Sequence, residues 1–351
     1  MKIAFGVCAI GLGHASRSIP IIKKLGEEGH EVTVFSYGRA LELLRKEVSA
    51  RFIEFQDYPL EFTDNPDLFF LNILLNSPLL INSLFTEHEL FLKYHAKEKF
   101  DMIISDNRYG IFAKDTPSFL ITHQLRILNP YHLKLLEAAS LLYNRFFTNR
   151  FKYVIVPDLE QNSLSGDLSH NLRFLESKKI KYMGPVSFIS KKALNKDIDL
   201  LVSISGPEPQ RSIFEKLVLE QIEGLNVNYF VTLGKPEEQN NRENVRSYLS
   251  FEERESVFNR AKIFITRSGY STIMDLYMID GKALFVPTPM QPEQEYLSQY
   301  FMQKNLFYSV PQKELNIERD LKIASGYHGF ENTNYESDTS VRKFFDIVFG
   351  D

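Results

Sequence analysis

The chain has a single cysteine, Cys8, in 351 residues, so no internal disulfide can form and a disulfide-framed secreted domain is excluded. Cys8 lies inside an apolar run and reads as a buried strand residue in a reducing compartment. An excess of positive charge is also missing: 41 Lys and Arg stand against 45 Asp and Glu, a formal net charge of -4. A nucleic-acid partner therefore has no bulk electrostatic support. No Cys/His cluster offers a zinc site, and there are no internal repeats, low-complexity tracts or coiled-coil heptads. Asp197-Ile198-Asp199 has the spacing of a metal-binding Asp-x-Asp, but it precedes a buried strand. Ligands in open α/β sheets gather at the opposite, carboxyl edge, so no metal is expected there.

No hydrophobic run is an uninterrupted membrane span either. The nearest approach is Leu68 to Phe85 (LFFLNILLNSPLLINSLF), with 12 apolar residues in 18. Pro78, Asn72, Asn76 and Asn82 argue against spanning, because each polar group would need a partner in lipid. The segment reads first as a buried helix pair and alternatively as an exposed, membrane-touching surface. The N-terminus imitates a signal peptide, but its apolar run is broken by Gly6 and Gly11 and continues into an amphipathic helix and a second strand. The expected location is cytoplasmic.

What is present is an α/β pattern that occurs twice. A hydrophobic content of 44% supports a sizeable core, and the length implies two domains of roughly 150 to 200 residues. Residues 2–10 are apolar on both alternating faces, as a central parallel strand requires. The turn Gly11-Leu12-Gly13-His14 and a helix to about Glu28 follow; this is Gly-x-Gly without the third glycine of a dinucleotide fingerprint. Strands are expected at 31–37, 51–55, 101–106, 118–123, 153–157 and 180–183. Asp106 and His123 end two of them at the ligand-bearing edge, and Arg108 and Gln124 stand beside them as candidate lining of an acceptor cleft. The second half restarts with a strand at 200–205, the turn 206–211 and a helix to about Glu223. Arg211, at that helix start, is a candidate clamp for a diphosphate. Further strands are expected at 229–233, 245–249 and 306–310.

The densest stretch runs from Lys262 to Tyr296. An apolar strand enters the tight turn Arg267-Ser268-Gly269, and a helix begins at about Ser271. Its unpaired N–H groups and the hydroxyls of Ser271 and Thr272 make an anion site beyond the strand end. One turn further in, Asp275 presents a carboxylate of the kind that accepts both hydroxyls of a ribose. A second strand, 283–286, is expected to end in a polar loop carrying Gln294 and Glu295. Together these features form half of a nucleotide-sugar pocket.

This stretch resembles the donor-binding region of family 28 glycosyltransferases, especially the N-acetylglucosaminyltransferase acting on the peptidoglycan lipid precursor. The pattern is a Ser-Gly turn, an acid six residues after the Gly, the strand Ala283-Leu284-Phe285-Val286-Pro287, then a Gln, a polar residue and a Tyr. The resemblance implies a GT-B fold, with two Rossmann-like doubly wound domains facing across a cleft. It places an acceptor domain at 1–185, a nucleotide-sugar domain at 186–335 and a helix at 336–351 that crosses back to the first. Gly184-Pro185 would be the hinge.

It also implies that Asp275 holds the ribose and that Gln294 and Glu295 hold the donor sugar, where the family has Gln-Gln. The family opens with the same strand, Gly-rich turn and His, so His14 is the candidate general base, with Gly13 beside it at the acceptor. Many retaining enzymes of this fold carry an acid eight residues before the ribose-binding one. Here Arg267 stands at that place, a cation suited to a departing diphosphate in an inverting reaction. The expected partners are a nucleotide-sugar donor, UDP-linked, and a glycan or lipid-linked acceptor, with peripheral membrane contact. No cofactor is expected beyond the substrate. The rivals are a sugar-nucleotide 2-epimerase, which would carry Gly-Thr-Arg-Pro-Glu where this chain has Gly-Leu-Gly-His, and a non-catalytic nucleotide-sugar-binding subunit.

Overall fold

A computed structural model describes residues 1–56, 77–128, 134–172, 177–235 and 241–350. The described residues divide into two units: residues 1–56, 77–186 and 337–350 form one, and those of 187–336 form the other. Each is built on its own sheet.

In the first unit the opening apolar run forms β1 (Lys2–Val7), buried after its first residue as a strand covered on both faces must be. β2 (Glu31–Ser36), β3 (Arg51–Glu54), β4 (Met102–Asp106), β5 (Ser118–Ile121), β6 (Tyr153–Val156) and β7 (Ile180–Tyr182) join it in the order β3-β2-β1-β4-β5-β6-β7. Every pairing is parallel, and parallel neighbours need crossovers, which helices such as Gly13–Glu27 and Gly38–Glu47 supply. The order reverses between β1 and β4, which opens a crevice at their carboxyl ends. Part of the core is aromatic: Phe35 meets Phe55, Phe91, Tyr94 and Phe100 edge-on at 5.5 to 5.9 Å, each pair adding roughly 0.5–1.5 kcal/mol beyond its buried area.

The helix Ser77–Glu98 takes in the end of the apolar segment 68–85, whose residues 68–76 lie outside those described. It buries Leu84 and Phe91 and leaves Leu79, Ile81, Phe85, Leu90 and Leu92 exposed. Among the described residues no helix is long and apolar enough to cross a membrane. The terminal helix Ser337–Phe349 belongs to the first unit and packs on Gly13–Glu27. There Phe349 stacks on His30 at 5.1 Å and the Ser340 hydroxyl donates to the Pro185 carbonyl at 2.6 Å.

The second unit repeats the scheme with β8 (Ile198–Ser203), β9 (Tyr229–Thr232), β10 (Asn241–Arg242), β11 (Val245–Arg246), β12 (Ala261–Thr266), β13 (Ala283–Phe285) and β14 (Tyr308–Ser309). The order is β10-β11-β9-β8-β12-β13-β14, and only the β10–β11 pair is antiparallel among the described pairings. The reversal now falls between β8 and β12. Leu200, Val202, Phe214, Val218, Ile265 and Leu284 form the centre of its core.

Three sequence expectations change here. The strand expected over 245–249 pairs only at Val245 and Arg246. The polar loop expected at 293–295 is instead the first turn of a helix, Pro292–Gln303, because Pro292 occupies its first position and the Gln291 side chain accepts the Gln294 N–H. A further helix, Ile317–Ala324, capped by Asn316, was not anticipated.

Candidate active site

At the carboxyl end of the first sheet, β4 ends in Asp106, fully buried, and the helix after β1 begins at Gly13. His14, Arg17 and Ser18 stand at i, i+3 and i+4 on that helix, so all three face the same way. All three reach Asp106. His14 Nδ1 lies 2.7 Å from Oδ1, the Arg17 fork donates through Nε to Oδ2 at 2.8 Å and through its terminal nitrogen to Oδ1, and Ser18 donates to Oδ2 at 2.9 Å. Arg17 also donates to His123 Nδ1 at 3.0 Å. This cluster holds Asp106 ionised, with its carboxyl far below the usual range, because the cation and imidazole outweigh the cost of burial. His14 is pushed down, first by burial and then by the Arg17 charge, against the pull of Asp106.

The acceptor lining read from the sequence is largely redistributed. Asp106 has two bonds on each oxygen, so its carboxylate is spent behind His14 and does not meet an acceptor. Arg108 is fully buried: it pairs with Glu87 at 2.5 Å and donates to the carbonyls of Phe55 and Gln56, tying β4 to its surroundings. His123 is buried with Nδ1 turned to Arg17. Gly13, His14 and Gln124 remain half-buried at this edge. The sequence did not single out Arg17 or Ser18; their spacing from His14 was the available signal.

In the second unit the reversal of strand order brings together the loops after β8 and β12. The helices that follow, Gln210–Ile222 and Tyr270–Met278, have no side-chain cap, unlike Phe251–Arg260 with its capping box. Both starts carry the positive end of a helix dipole; at the first of them the Arg211 N–H already donates to the Pro207 carbonyl and the Ser212 N–H to Glu208 Oε2. Gly269 is the residue before the second of these helices, Ser271 is half-exposed in its first turn and Thr272 is buried. Around this turn the hydroxyls of Thr266 and Thr288 and the Nε of Arg267 are buried without a hydrogen-bond partner among the described residues. Gly206, at φ +118°, closes the cradle; a side chain is strained at that φ, and a Cβ would lie 3.6 Å from the Thr288 hydroxyl. Thr266, Thr288 and Gly206 were not picked out from the sequence.

The contacts of the other expected donor-side residues limit what each has left to offer a ligand. Arg211 is buried and its fork is taken by Glu208, with the carbonyls of Leu233 and Gly234 beyond, so it offers no free clamp. Ser268 is fully buried and donates to the Gln294 carbonyl at 2.7 Å. Arg267 is 1% exposed, stacks over Phe214 at 4.1 Å and donates to the carbonyls of Gln210, Val286 and Pro287 and to the Gln312 amide. Those partners are neutral, and burial brings its pKa down to about 9. Gln294 accepts from the Thr288 N–H at 2.8 Å and Glu295 from the Met290 N–H at 2.9 Å, so both brace the 287–291 loop. Asp275 is buried, with one oxygen accepting from Ser187 at 2.5 Å and the other from Arg254 at 3.1 Å. Burial pushes its carboxyl up and Arg254 opposes that. Among the described residues no group of three or more His, Cys, Asp or Glu forms a metal cluster.

Two mainly parallel sheets, each with loops gathered at a reversal of strand order, define the class. Residues 1–107 match the family model described as Glycosyl transferase family 1, and residues 213–325 match the Glycosyltransferase family 28 C-terminal domain. The chain is a glycosyltransferase of GT-B type that resembles family 28. Its relatives include two proteins named as uncharacterized glycosyltransferases. One, from Methanosarcina mazei, is 24% identical over 97% of this chain and 93% of its own length. The other, from Methanosarcina acetivorans, is 30% identical over 45% of this chain, and the match spans 42% of that protein. Among solved structures, the spinosyn rhamnosyltransferase SpnG complexed with thymidine diphosphate superposes with a TM-score of 0.61 at 11% identity, covering 99% of this chain and 96% of that one. Acinetobacter baumannii MurG gives 0.56 at 11% identity, covering 98% and 94%. At these identities the structures speak to the fold.

Proposed function

We propose that the protein transfers a sugar from a nucleoside diphosphate sugar, UDP-linked, to the hydroxyl of a glycan or lipid-linked acceptor, with inversion at the anomeric carbon. The observation that carries this reading is the His14–Asp106 pair at the ligand edge of the first sheet. A buried carboxylate 2.7 Å from Nδ1 orients the ring and leaves Nε2 as the basic atom. The acceptor oxygen gives its proton to His14 Nε2 and bonds to the anomeric carbon, while the bond to the diphosphate oxygen breaks and that oxygen leaves with the electron pair. Negative charge grows on the diphosphate, and the uncapped helix start at Tyr270, the Thr266 and Thr288 hydroxyls and Arg267 are the groups suited to it. Asp275 keeps the ribose in this reading, since one oxygen accepts from Ser187 and the other from Arg254, and a carboxylate oxygen can accept a second bond.

The reaction is tested with an α-linked nucleotide sugar in excess chelator, reading the product anomer by NMR, alongside His14→Ala. The expected result is a β-linked product, activity kept with chelator, and turnover lower by on the order of 10²–10⁴ in the variant. An α-linked product, or turnover at saturation untouched in His14→Ala, overturns the mechanism.

A further inference from the structure

We propose that Arg17 is a positioning residue for this reaction: its guanidinium forks onto Asp106 and reaches His14 and His123, and so holds in place the carboxylate that selects which nitrogen of His14 takes the acceptor proton. The inference rests on His14 being the base and adds what holds its carboxylate partner in place and tempers its basicity.

Arg17 is 4% exposed and lies one turn inside the helix that begins beside His14. Its donors are divided among three acceptors. Nε and one terminal nitrogen form a fork on Asp106, the other terminal nitrogen meets His123 Nδ1 at 3.0 Å, and the fork's terminal nitrogen also lies 2.9 Å from His14 Nδ1. Arginine only donates, so His123 Nδ1 must accept and its hydrogen is on Nε2.

At His14 two neighbours compete for Nδ1. Asp106 Oδ1 at 2.7 Å demands a hydrogen there, whereas Arg17 at 2.9 Å demands a lone pair. The carboxylate prevails. Arg17 already has Asp106 as a charged acceptor, and a bare Nδ1 would set its lone pair against those of the carboxylate. The hydrogen therefore sits on Nδ1, and Nε2 is the base.

The groups facing this imidazole are Arg17 from its own helix, Asp106 from the end of β4 and His123 from the segment after β5. Asp106 alone would favour the imidazolium, and a base that is already protonated cannot accept. Burial and then the guanidinium on the same carboxylate offset that field, so the ring is pushed toward its neutral form. Arg17 thereby acts through His14 without touching a substrate.

Two measurements decide the matter. In the wild-type protein, ¹⁵N-imidazole NMR is expected to show His14 neutral at pH 7 with its hydrogen on Nδ1, and His123 with its hydrogen on Nε2. The opposite tautomer at His14 overturns the proposal without any reference to activity. Arg17→Gln and Arg17→Lys are then compared across pH. In Arg17→Gln the acid limb of kcat/KM and the His14 titration should both move up, while Arg17→Lys, which keeps the charge, restores most of the wild-type profile with donor KM unchanged in both. A uniform loss at every pH, with no shift of the limb, would mean a merely structural role. If Arg17→Gln does not fold, the wild-type tautomers and the Arg17→Lys titration still decide. A shifted His14 titration together with full turnover in His14→Ala would sink the base assignment and leave Arg17's hold on the ring standing.

Discussion

Asp106 and Asp275 are both buried carboxylates at strand-end sites, and the bonds they accept separate their roles. Asp106 is filled on both oxygens and lies behind the base; Asp275 has one bond to each oxygen. This difference predicts opposite responses to pH. Asp106 is depressed in the fold, so its contribution to stability is present above the ordinary carboxylate pKa and is lost as pH falls through the folded value. His14, also depressed, penalises the fold as it is forced to charge below about 6.5. Urea midpoints should therefore fall from pH 7 to about pH 5 as His14 is forced to charge and again below about pH 4 as the Asp106 contribution is lost, and His14→Gln should flatten the first of these declines. For Asp275 the cause is burial, offset by Arg254. In Arg254→Met the carboxyl rises further and loses its charge sooner, so donor affinity should drop more at pH 6 than at pH 8, read by calorimetry. Equal losses at both pH values would count against a role for Arg254 in keeping Asp275 ionised.

At the scale of elements, the strands were legible because buried parallel strands are apolar on both faces, and β1, β8 and β12 are such runs. The strand-end position of His14 followed from the same signal. The helix Pro292–Gln303 was hidden because its first turn, Pro-Glu-Gln-Glu, is polar, although proline at a first helical position was a readable start. Side-chain partners were not legible at all. Arg108, Arg211 and Arg267 look alike in sequence as cations at strand ends, and all three are buried, where each guanidinium must find acceptors locally or cost several kcal/mol. Arg267 binds the 286–287 carbonyls to Gln210 and Gln312. Arg267→Ala should lower stability by on the order of 3 kcal/mol, by leaving those acceptors unpaired. Arg267→Lys, which keeps a charge but not the fork, should fall between the two in denaturant midpoint.

For the whole molecule, the proposed donor features lie on the second unit and the proposed base on the first, so donor binding and catalysis are expected to be lost separately. A nucleoside diphosphate at about 100 times its dissociation constant should stabilise the protein by roughly 2.7 kcal/mol. That shift is expected to survive in His14→Ala and to shrink in Gly206→Val, whose side chain would be strained at φ +118° and crowd Thr288. A thermal-shift panel of UDP, GDP, TDP and CMP reads both outcomes, and equal shifts with all four would rule out base selection by the protein.

The first unit is not one continuous length of chain, since the helix Ser337–Phe349 packs on Gly13–Glu27 after the entire second unit has intervened. On the ribosome, the half that is made first is thus completed last. Until Phe349 emerges, His30 lacks its stacking partner and the Pro185 carbonyl lacks the Ser340 hydroxyl. The second unit, contiguous over its described residues from 187 to 336, can close earlier. A chain cut before Ser337 would therefore keep every described stretch of the second unit and leave the first without the helix that closes it.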